Sequence, residues 1–274
     1  VMLKETIYNL KTQPVMGVVS VLGTALCLLL VMMVTVLNDI DTAPLAPESN
    51  RDRLLYDHYI CIYNNDQSQS GGVGQLTIDR LYSNLPSAEA VSVAGQMFTS
   101  TDIETDGVAP VIADRRDADG NYWKIFDHQF VAGGPLTDDD VNTRNNVVVI
   151  AESVAGKLFG SGEAVGKTVR IGYKEYVVKG VVRDVSPVMG ASYAQMWVPI
   201  KPMRNFDDGE DGGISAKDWR GNYMAIIMAK TPADVDNVIR EAHARIPAMQ
   251  KEMEATTDGM QRRNAEIYPF QQKE

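Results

Sequence analysis

The feature that most constrains this chain is a run of 23 residues without a charged side chain, from Val15 to Leu37. As a helix at 1.5 Å per residue the run spans about 34 Å, against about 30 Å for the hydrocarbon core of a bilayer. A cleaved signal peptide is the alternative, because residues 43–46 resemble a cleavage site. The apolar region of a signal peptide is only about 7–15 residues long, however. The sequence therefore predicts a retained transmembrane helix over 15–37.

The charges beside this run predict its orientation. Lys4 and Lys11 precede it, and Asp39 and Asp41 follow it. Because basic residues stay on the cytoplasmic side, we expect a cytoplasmic N-terminus and an exported remainder. Residues 1–40 contain two lysines and two acids, so the net charge of −10 belongs to the exported part. That acidic balance argues against a nucleic-acid partner and against binding to anionic lipid headgroups.

Two polar segments flank the apolar run. In residues 1–14, Leu3, Ile7 and Leu10 recur at helical spacing, which predicts a short amphipathic helix lying on the inner membrane face. Docking of a cytoplasmic partner is the other interpretation of that helix. Residues 38–55 are polar and contain two prolines, which is typical of a short tether or an extension of the transmembrane helix.

The exported part has the composition and patterning of a globular α+β domain. The whole chain is 45% hydrophobic and 23% charged, which excludes a disordered or fibrous protein. Val147–Ile150 is a short apolar strand, and Glu152–Phe159 reads as a helix closed by Gly160. Strands and helices follow one another in mixed order. Cys27 lies in the apolar run and Cys61 in a strand-like segment, so we expect no disulfide.

One glycine-rich segment superficially resembles a phosphate-binding loop. Residues 162–168 read Gly-Glu-Ala-Val-Gly-Lys-Thr, but Ser161 stands where the loop requires its first glycine. The segment is also predicted to follow a helix and precede a strand, the reverse of the order that aims backbone N–H groups at a phosphate. We therefore expect no nucleotide cofactor.

Other candidate sites fail on spacing. Residues 117–121 lack the glycine position and the terminal glutamate of a calcium loop, and Asp138–Asp140 are explained as acids at a helix N-terminus. His58, His128 and His243 are isolated from other potential ligands. The sequence thus predicts no catalytic residue, no metal and no cofactor, and the protein is not expected to be an enzyme.

A multi-part pattern in the centre of the chain is more specific. It runs through residues 122–140 (Tyr-Trp-Lys-Ile-Phe to Asp-Asp-Asp), 146–160 (Asn-Val-Val-Val-Ile-Ala-Glu to Leu-Phe-Gly) and 163–185 (ending Val-Val-Lys-Gly-Val-Val-Arg-Asp-Val). In order and content it resembles the periplasmic core domain of MacB-like ABC transporter permeases, of the FtsX/MacB family. Gly134 departs from the arginine that is usual in that family.

The resemblance implies an inner-membrane permease subunit, or a fragment of one, with one N-terminal transmembrane helix and a two-lobed mixed α/β periplasmic domain over 56–274. Lobe one would comprise about 56–115 and 222–274, and lobe two about 116–205. It also implies an efflux function, in which a separate cytoplasmic ABC ATPase subunit drives motion of the exported domain for export or extraction of a substrate.

A second permease copy or homologue, and a periplasmic adaptor or substrate protein, are the further partners that this resemblance implies. The rest of such a permease would contain three more transmembrane helices. A single-pass sensor or receptor with an extracytoplasmic ligand-binding domain is the alternative function.

Small residues in the apolar run suggest a helix-packing face. Gly17, Ser20 and Thr24 are spaced three and four residues apart, and small side chains at such spacing let helix backbones approach closely. The alternative is that these residues carry no function, since small residues are common in membrane helices.

Overall fold

The computed structural model describes residues 14–42, 45–64, 67–200, 219–256, 261–262 and 268–269. The chain divides into two compact units, Val1–Ala43 and Pro44–Glu274. The predicted amphipathic segment over 1–14 lies outside the described residues, apart from Pro14.

The first unit contains one long helix, α1, which runs from Pro14 to Thr42. Its stretch Gly17–Val36 has a mean hydropathy of 2.5 and no buried residue, so it is long and apolar enough to cross a membrane. The predicted apolar helix is confirmed, and it continues beyond the predicted end at residue 37. Residues 38–42 therefore extend the helix.

The second unit is built mainly from β-strands. In chain order these are β1 (Leu54–Asp57), β2 (Ile60–Asn64), β3 (Gln67–Val73), β4 (Ala88–Gly95), β5 (Thr99–Glu104), β6 (Val111–Ala118), β7 (Phe130–Gly133), β8 (Val147–Ala151), β9 (Thr168–Ile171), β10 (Lys174–Val182), β11 (Met196–Pro199), β12 (Arg220–Gly221), β13 (Tyr223–Ala229), β14 (Gln261–Arg262) and β15 (Tyr268–Pro269). The helices are α2 (Gln75–Tyr82), α3 (Tyr122–Ile125), α4 (Asp138–Asn142), α5 (Glu152–Phe159) and α6 (Val235–Thr256), with 3-10 turns at Arg51–Arg53 and Pro232–Asp234. This mixed content confirms the predicted fold class.

Six strands form a closed ring. Its order is β6, β5, β9, β10, β8 and β11, and β11 pairs again with β6. The contacts β8–β10 and β6–β11 are parallel, and the other four are antiparallel. Alternate residues of β8 enter different cores, because successive side chains of a strand point to opposite faces. Val148 and Ile150 join the core of the ring together with α5, whereas Val149 packs outside it.

An open sheet packs against α2 and α6. β13 lies at its centre, between β4 on one side and β1 and β3 on the other. Ala225, Ile227 and Ala229 of β13 face a core that includes residues of α2 and α6. The alternate residues Met224 and Ile226 face a second core. β13 is apolar throughout because both of its faces are buried.

That second core lies between the open sheet and the ring. It combines Leu54 and Tyr56 of β1, Tyr122 and Phe126 around α3, and Trp197 of β11. β5 and β6, which the sequence placed in lobe one, are hydrogen-bonded into the ring. The division of the domain into two lobes, about 56–115 with 222–274 and about 116–205, stays a prediction.

Candidate functional site: the membrane helix and the segment that follows it

The small residues of α1 lie on its exposed surface. Ser20 and Thr24 are exposed and Gly17 is half-buried within the structure. The Thr24 hydroxyl donates to the backbone oxygens of Ser20 at 2.7 Å and of Val21 at 3.1 Å. The Thr24 hydroxyl is thus already hydrogen-bonded within its own helix. The face is therefore better suited to close packing of another helix than to hydrogen bonding with it. Its role as a helix-packing face stays a prediction.

The residues after α1 behave differently from the predicted tether. From residue 45 to residue 53 the chain, called here the anchor segment, folds into the second unit. Glu48 is only 1% exposed and Arg51 only 4% exposed. Charged side chains are seldom buried without a partner. The burial of both indicates a specific attachment in place of a free linker.

Glu48 is the centre of this attachment. Its carboxylate accepts a hydrogen bond from Arg51 Nε at 2.9 Å. Its other oxygen accepts from the backbone N–H of Ser192 at 3.1 Å and from the Ser192 hydroxyl at 2.7 Å. Both oxygens are therefore paired, which offsets the cost of removing the charge from water.

A second attachment lies at the turn after α3. The backbone N–H of Asp127 donates to the carbonyl of Pro47 at 2.8 Å, and the Ser49 hydroxyl donates to the Asp127 carboxylate. The side-chain amide of Asn50 donates to the carbonyl of Ile125 at 3.3 Å. The anchor segment is thus held both by this turn and by the loop that contains Ser192.

Arg116 of β6 holds the loop of Ser192 from another side. Its side chain is 2% exposed. It donates from Nε to the carbonyl of Tyr193 at 3.0 Å, from Nη1 to that of Gly95 at 2.8 Å, and from Nη2 to that of Gly190 at 2.7 Å. One planar guanidinium therefore connects this loop with Gly95, the last residue of β4.

Aromatic rings surround His128, the residue after Asp127. Trp123 and Trp197 each lie 5.1 Å from the His128 ring, centroid to centroid, and Tyr122 lies 5.7 Å from it. Among the described residues neither His128 nitrogen has a hydrogen-bond partner. Burial lowers the pKa of His128 to about 3, so the ring is neutral at physiological pH. Burial also raises the pKa of Tyr122 to about 12.

Asp119 links β4 to α3 through hydrogen bonds of its side chain. Its carboxylate accepts from the Ser92 hydroxyl at 2.7 Å, from Val93 N at 2.8 Å and from Tyr122 N at 2.9 Å. Burial nevertheless raises its pKa to about 6, because the hydrogen bonds only partly offset the loss of hydration. This carboxylate therefore has a structural role in positioning α3.

The weaker motifs take the structural places expected of them. Residues 162–168 lie between α5 and β9, the helix-then-strand order expected from the sequence. Asp138–Asp140 open α4, where Thr137 and Asp140 form a capping box. Among the residues that the structure describes, no group of histidine, cysteine or acidic side chains is placed to hold a metal ion.

Sequence reasoning missed the anchor segment and its partners. Glu48 and Arg51 have the spacing of an i, i+3 pair, but they occur in a polar stretch after two prolines, which is equally typical of a linker. Ser192 and Arg116 are distant from them in sequence and carry no motif. Only the tertiary structure brings these groups together.

The chain thus combines an apolar helix that is long enough to cross a membrane with a mixed α/β domain. Residues 18–245 match the family described as the MacB-like periplasmic core domain. The match covers most of the chain and includes most of α1. The chain belongs to this family of periplasmic core domains of ABC transporter permeases, as the central sequence pattern predicted.

Curated relatives agree with this assignment. The chain is 33% identical over 91 residues to the macrolide export ATP-binding/permease protein MacB of Chromobacterium violaceum, covering 33% of this chain and 14% of that protein. It is 36% identical over 111 residues to the protein of the same name from Hahella chejuensis, covering 40% and 15%. The uncharacterized ABC transporter permease YvrN of Bacillus subtilis is 33% identical over 66 residues, covering 24% and 16%. The matched part spans about one seventh of the length of these relatives.

Solved structures show the same fold. A domain of a putative permease protein from Porphyromonas gingivalis has a TM-score of 0.55 at 18% identity, covering 80% of this chain and 90% of that one. The periplasmic region of MacB from Actinobacillus actinomycetemcomitans has a TM-score of 0.52 at 15% identity, covering 80% and 89%. At these identities the likeness shows the fold alone.

Proposed function

We propose that this chain is part of the permease subunit of an ABC transporter, with α1 in the inner membrane, the N-terminus in the cytoplasm and the second unit in the periplasm. ATP binding and hydrolysis by a separate ABC ATPase subunit would move the membrane helices and, through them, the periplasmic domain. The motion would export or extract a substrate on the periplasmic side. The observation that carries this proposal is the family match, which includes both most of α1 and the domain.

The anchor segment supports a mechanical role. It begins three residues after α1 ends at Thr42 and is fixed to the domain through Glu48, Asp127 and Ser192. A flexible linker at this point would absorb a displacement of the helix, whereas a packed segment passes it to the domain. Transmission of movement therefore suits this attachment better than ligand sensing does.

The same proposal assigns partners. Two relatives are named ATP-binding/permease proteins, so a cytoplasmic ABC ATPase subunit is the expected energy source. We also assign a second permease copy or homologue in the membrane, and a periplasmic adaptor or substrate protein. Macrolides, which the names of these two relatives mention, are the first substrates to test.

A distance measurement in the complete transporter tests this function. Cys27 and Cys61 are replaced by serine, and Tyr173→Cys, at an exposed turn between β9 and β10, carries a spin label. The full-length protein is reconstituted in nanodiscs with its ATPase subunit, and the label-to-label distance between copies is measured. Vanadate trapping with ATP should shift that distance. An unchanged distribution in an actively hydrolysing complex would contradict the proposal.

The small-residue face has its own test in the same complex. Gly17→Leu adds bulk on the face of Ser20 and Thr24, whereas Gly23→Leu adds it about a quarter turn away. A Cβ at Gly23 meets nothing within 4 Å in the described chain. We expect Gly17→Leu to uncouple ATP hydrolysis from the label shift and Gly23→Leu to leave it intact. A label shift that survives in Gly17→Leu would identify the face as lipid-exposed, and loss of the shift in both variants would contradict a role specific to this face.

A further inference from the structure

Two buried charged side chains attach to the same irregular loop. The loop, residues 186–193, connects β10 to β11 and is called here the relay loop. It contains no strand or helix. Its internal hydrogen bonds are short-range turns, such as Met189 N to Ser186 O at 2.9 Å and Tyr193 N to Met189 O at 2.7 Å. Its position therefore depends on the groups that bind it from outside.

We propose that the relay loop couples the anchor segment, through Gly95 at the end of β4, to the turn after β4, residues 96–98, so that a displacement of Glu48 changes the order of both loops. Glu48 binds the loop at Ser192, through the backbone N–H and the hydroxyl. Arg116 binds it at Gly190 and Tyr193 and, with the same guanidinium, binds Gly95. The path from the anchor segment to the turn after β4 thus passes through one loop.

The far end of this path is a surface of exposed apolar side chains. Met97 is 78% exposed, Phe98 43% and Val188 66%. The Phe98 ring contacts the Tyr193 ring edge-on at 5.3 Å, and the Arg116 guanidinium lies 6.0 Å from the centre of the Phe98 ring. Loosening of the relay loop should therefore also loosen this surface, because Tyr193 and Arg116 hold both the loop and the Phe98 ring.

Two properties favour coupling over local stabilisation alone. Glu48 and Arg116 are both buried, so water does not replace a contact that either of them loses. The guanidinium is a rigid fork, so a shift at Gly190 or Tyr193 is passed to Gly95 and is not absorbed by rotation within the fork. In the transporter proposed above, movement of the membrane helix would provide the displacement; the coupling itself needs neither ATPase nor substrate.

Amide hydrogen exchange on the complete chain in detergent tests the coupling. The main reporter is the backbone amide of Gln96, which donates to the carbonyl of Asn222 at 2.8 Å. This amide is not one of the groups that hydrogen-bond to Glu48 or to the Arg116 guanidinium. In Glu48→Gln we expect exchange to rise about tenfold at Met189, Tyr193 and Gln96. Exchange in β8 and β10 should stay as in the wild type.

Two further variants separate coupling from general loosening. Glu241 binds Ser87 as Glu48 binds Ser192, so Glu241→Gln is the matched control and should leave Gln96 unchanged. Arg116→Lys keeps the charge but loses the planar guanidinium that donates to several carbonyls at once. It should raise exchange at Gln96 while the amides of the anchor segment stay protected.

Each result decides the question. An increase confined to the anchor segment in Glu48→Gln would overturn the coupling, and so would an equal increase across β8 and β10. Because these measurements involve no ATP, their failure would leave the label-shift test of transporter function untouched. Conversely, a transporter without a label shift would leave the coupling intact.

Discussion

Two serines in the periplasmic domain are bound by glutamates in nearly the same way. Ser192 donates to Glu48 from its backbone N–H at 3.1 Å and from its hydroxyl at 2.7 Å. Ser87 donates to Glu241 with the same two groups at the same two distances. Glu48 is 1% exposed and pairs with Arg51, whereas Glu241 is half-buried on α6.

Equal hydrogen-bond distances therefore do not mean equal contributions to stability. Near the surface water replaces a lost hydrogen bond, so the net contribution of such a contact is small. In a buried site the remaining partner keeps its charge without hydration, and the loss is several times larger. The buried contact of Glu48 is the one placed where its loss is costly.

The largest expected effect comes from breaking the buried carboxylate. Glu48→Gln leaves Arg51 buried beside a neutral side chain, so we expect the free energy of unfolding to fall by about 3 kcal/mol. Glu241→Gln should lower it by less than about 1 kcal/mol. Urea unfolding of the two variants beside the wild type measures both values. Equal losses would show that burial does not separate the two contacts.

Acid should weaken the region around the buried contact. The pKa of His128 is held at about 3 in the folded protein, below its ordinary value near 6.5. As pH falls below 6.5 the unfolded chain binds a proton that the folded chain excludes, so stability decreases. The expected loss between pH 6.5 and pH 5 is about 2 kcal/mol.

Comparison with His128→Phe isolates this contribution, which is necessary because other groups titrate in the same range. Asp119 acts in the opposite direction, since its folded pKa of about 6 is raised and its protonation on acidification favours the folded state. Urea midpoints measured from pH 7.5 to pH 5 should fall less steeply in His128→Phe than in the wild type. Parallel curves would exclude His128 as a source of acid sensitivity.

Substituting the serine of each contact should lower the free energy of unfolding by less than substituting the buried glutamate does. Ser192→Ala removes one hydroxyl hydrogen bond to a buried charge, and we expect a loss of about 1.5 kcal/mol. Ser87→Ala removes the same bond at the half-buried site and should cost about 0.5 kcal/mol. Thermal unfolding by circular dichroism ranks the two. A larger loss in Ser87→Ala would reverse the proposed order.

The smallest effect is expected at a more exposed ion pair beside the anchor segment. Arg53 at the end of that segment pairs with Glu89, whose side chain is 50% exposed. Glu89→Gln should change the free energy of unfolding by less than about 0.5 kcal/mol. The same urea titration serves as the measurement. A loss close to that of Glu48→Gln would mean that proximity to the anchor segment matters more than burial.

The sequence predicted those parts of the molecule that are recorded in local patterns. The uncharged run predicted the apolar helix α1, and the apolar pattern around Val147–Phe159 predicted β8 and α5 with nearly correct bounds. The order of motifs in the central segment gave the family. Each of these signals lies within a few tens of neighbouring residues.

The buried contact left no such signal. Ser192 lies 144 residues from Glu48, and Arg116 lies 77 residues from Tyr193. A glutamate in a polar stretch directly after two prolines is typical of a linker, and nothing local shows that a serine will reach its carboxylate. The same holds for the closed ring, whose last contact joins β6 to β11.

The arrangement of strands also has a consequence for the order in which the chain can fold. β1, directly after the anchor segment, pairs with β13, and Leu54 lies opposite Met228. A growing chain emerges N-terminal end first, so β1 has no partner at β13 until more than 170 further residues have been made. The first core strand thus waits longest for its pair. Such distant pairing slows folding and leaves apolar strands exposed in the meantime, which would make the nascent domain a client for chaperones.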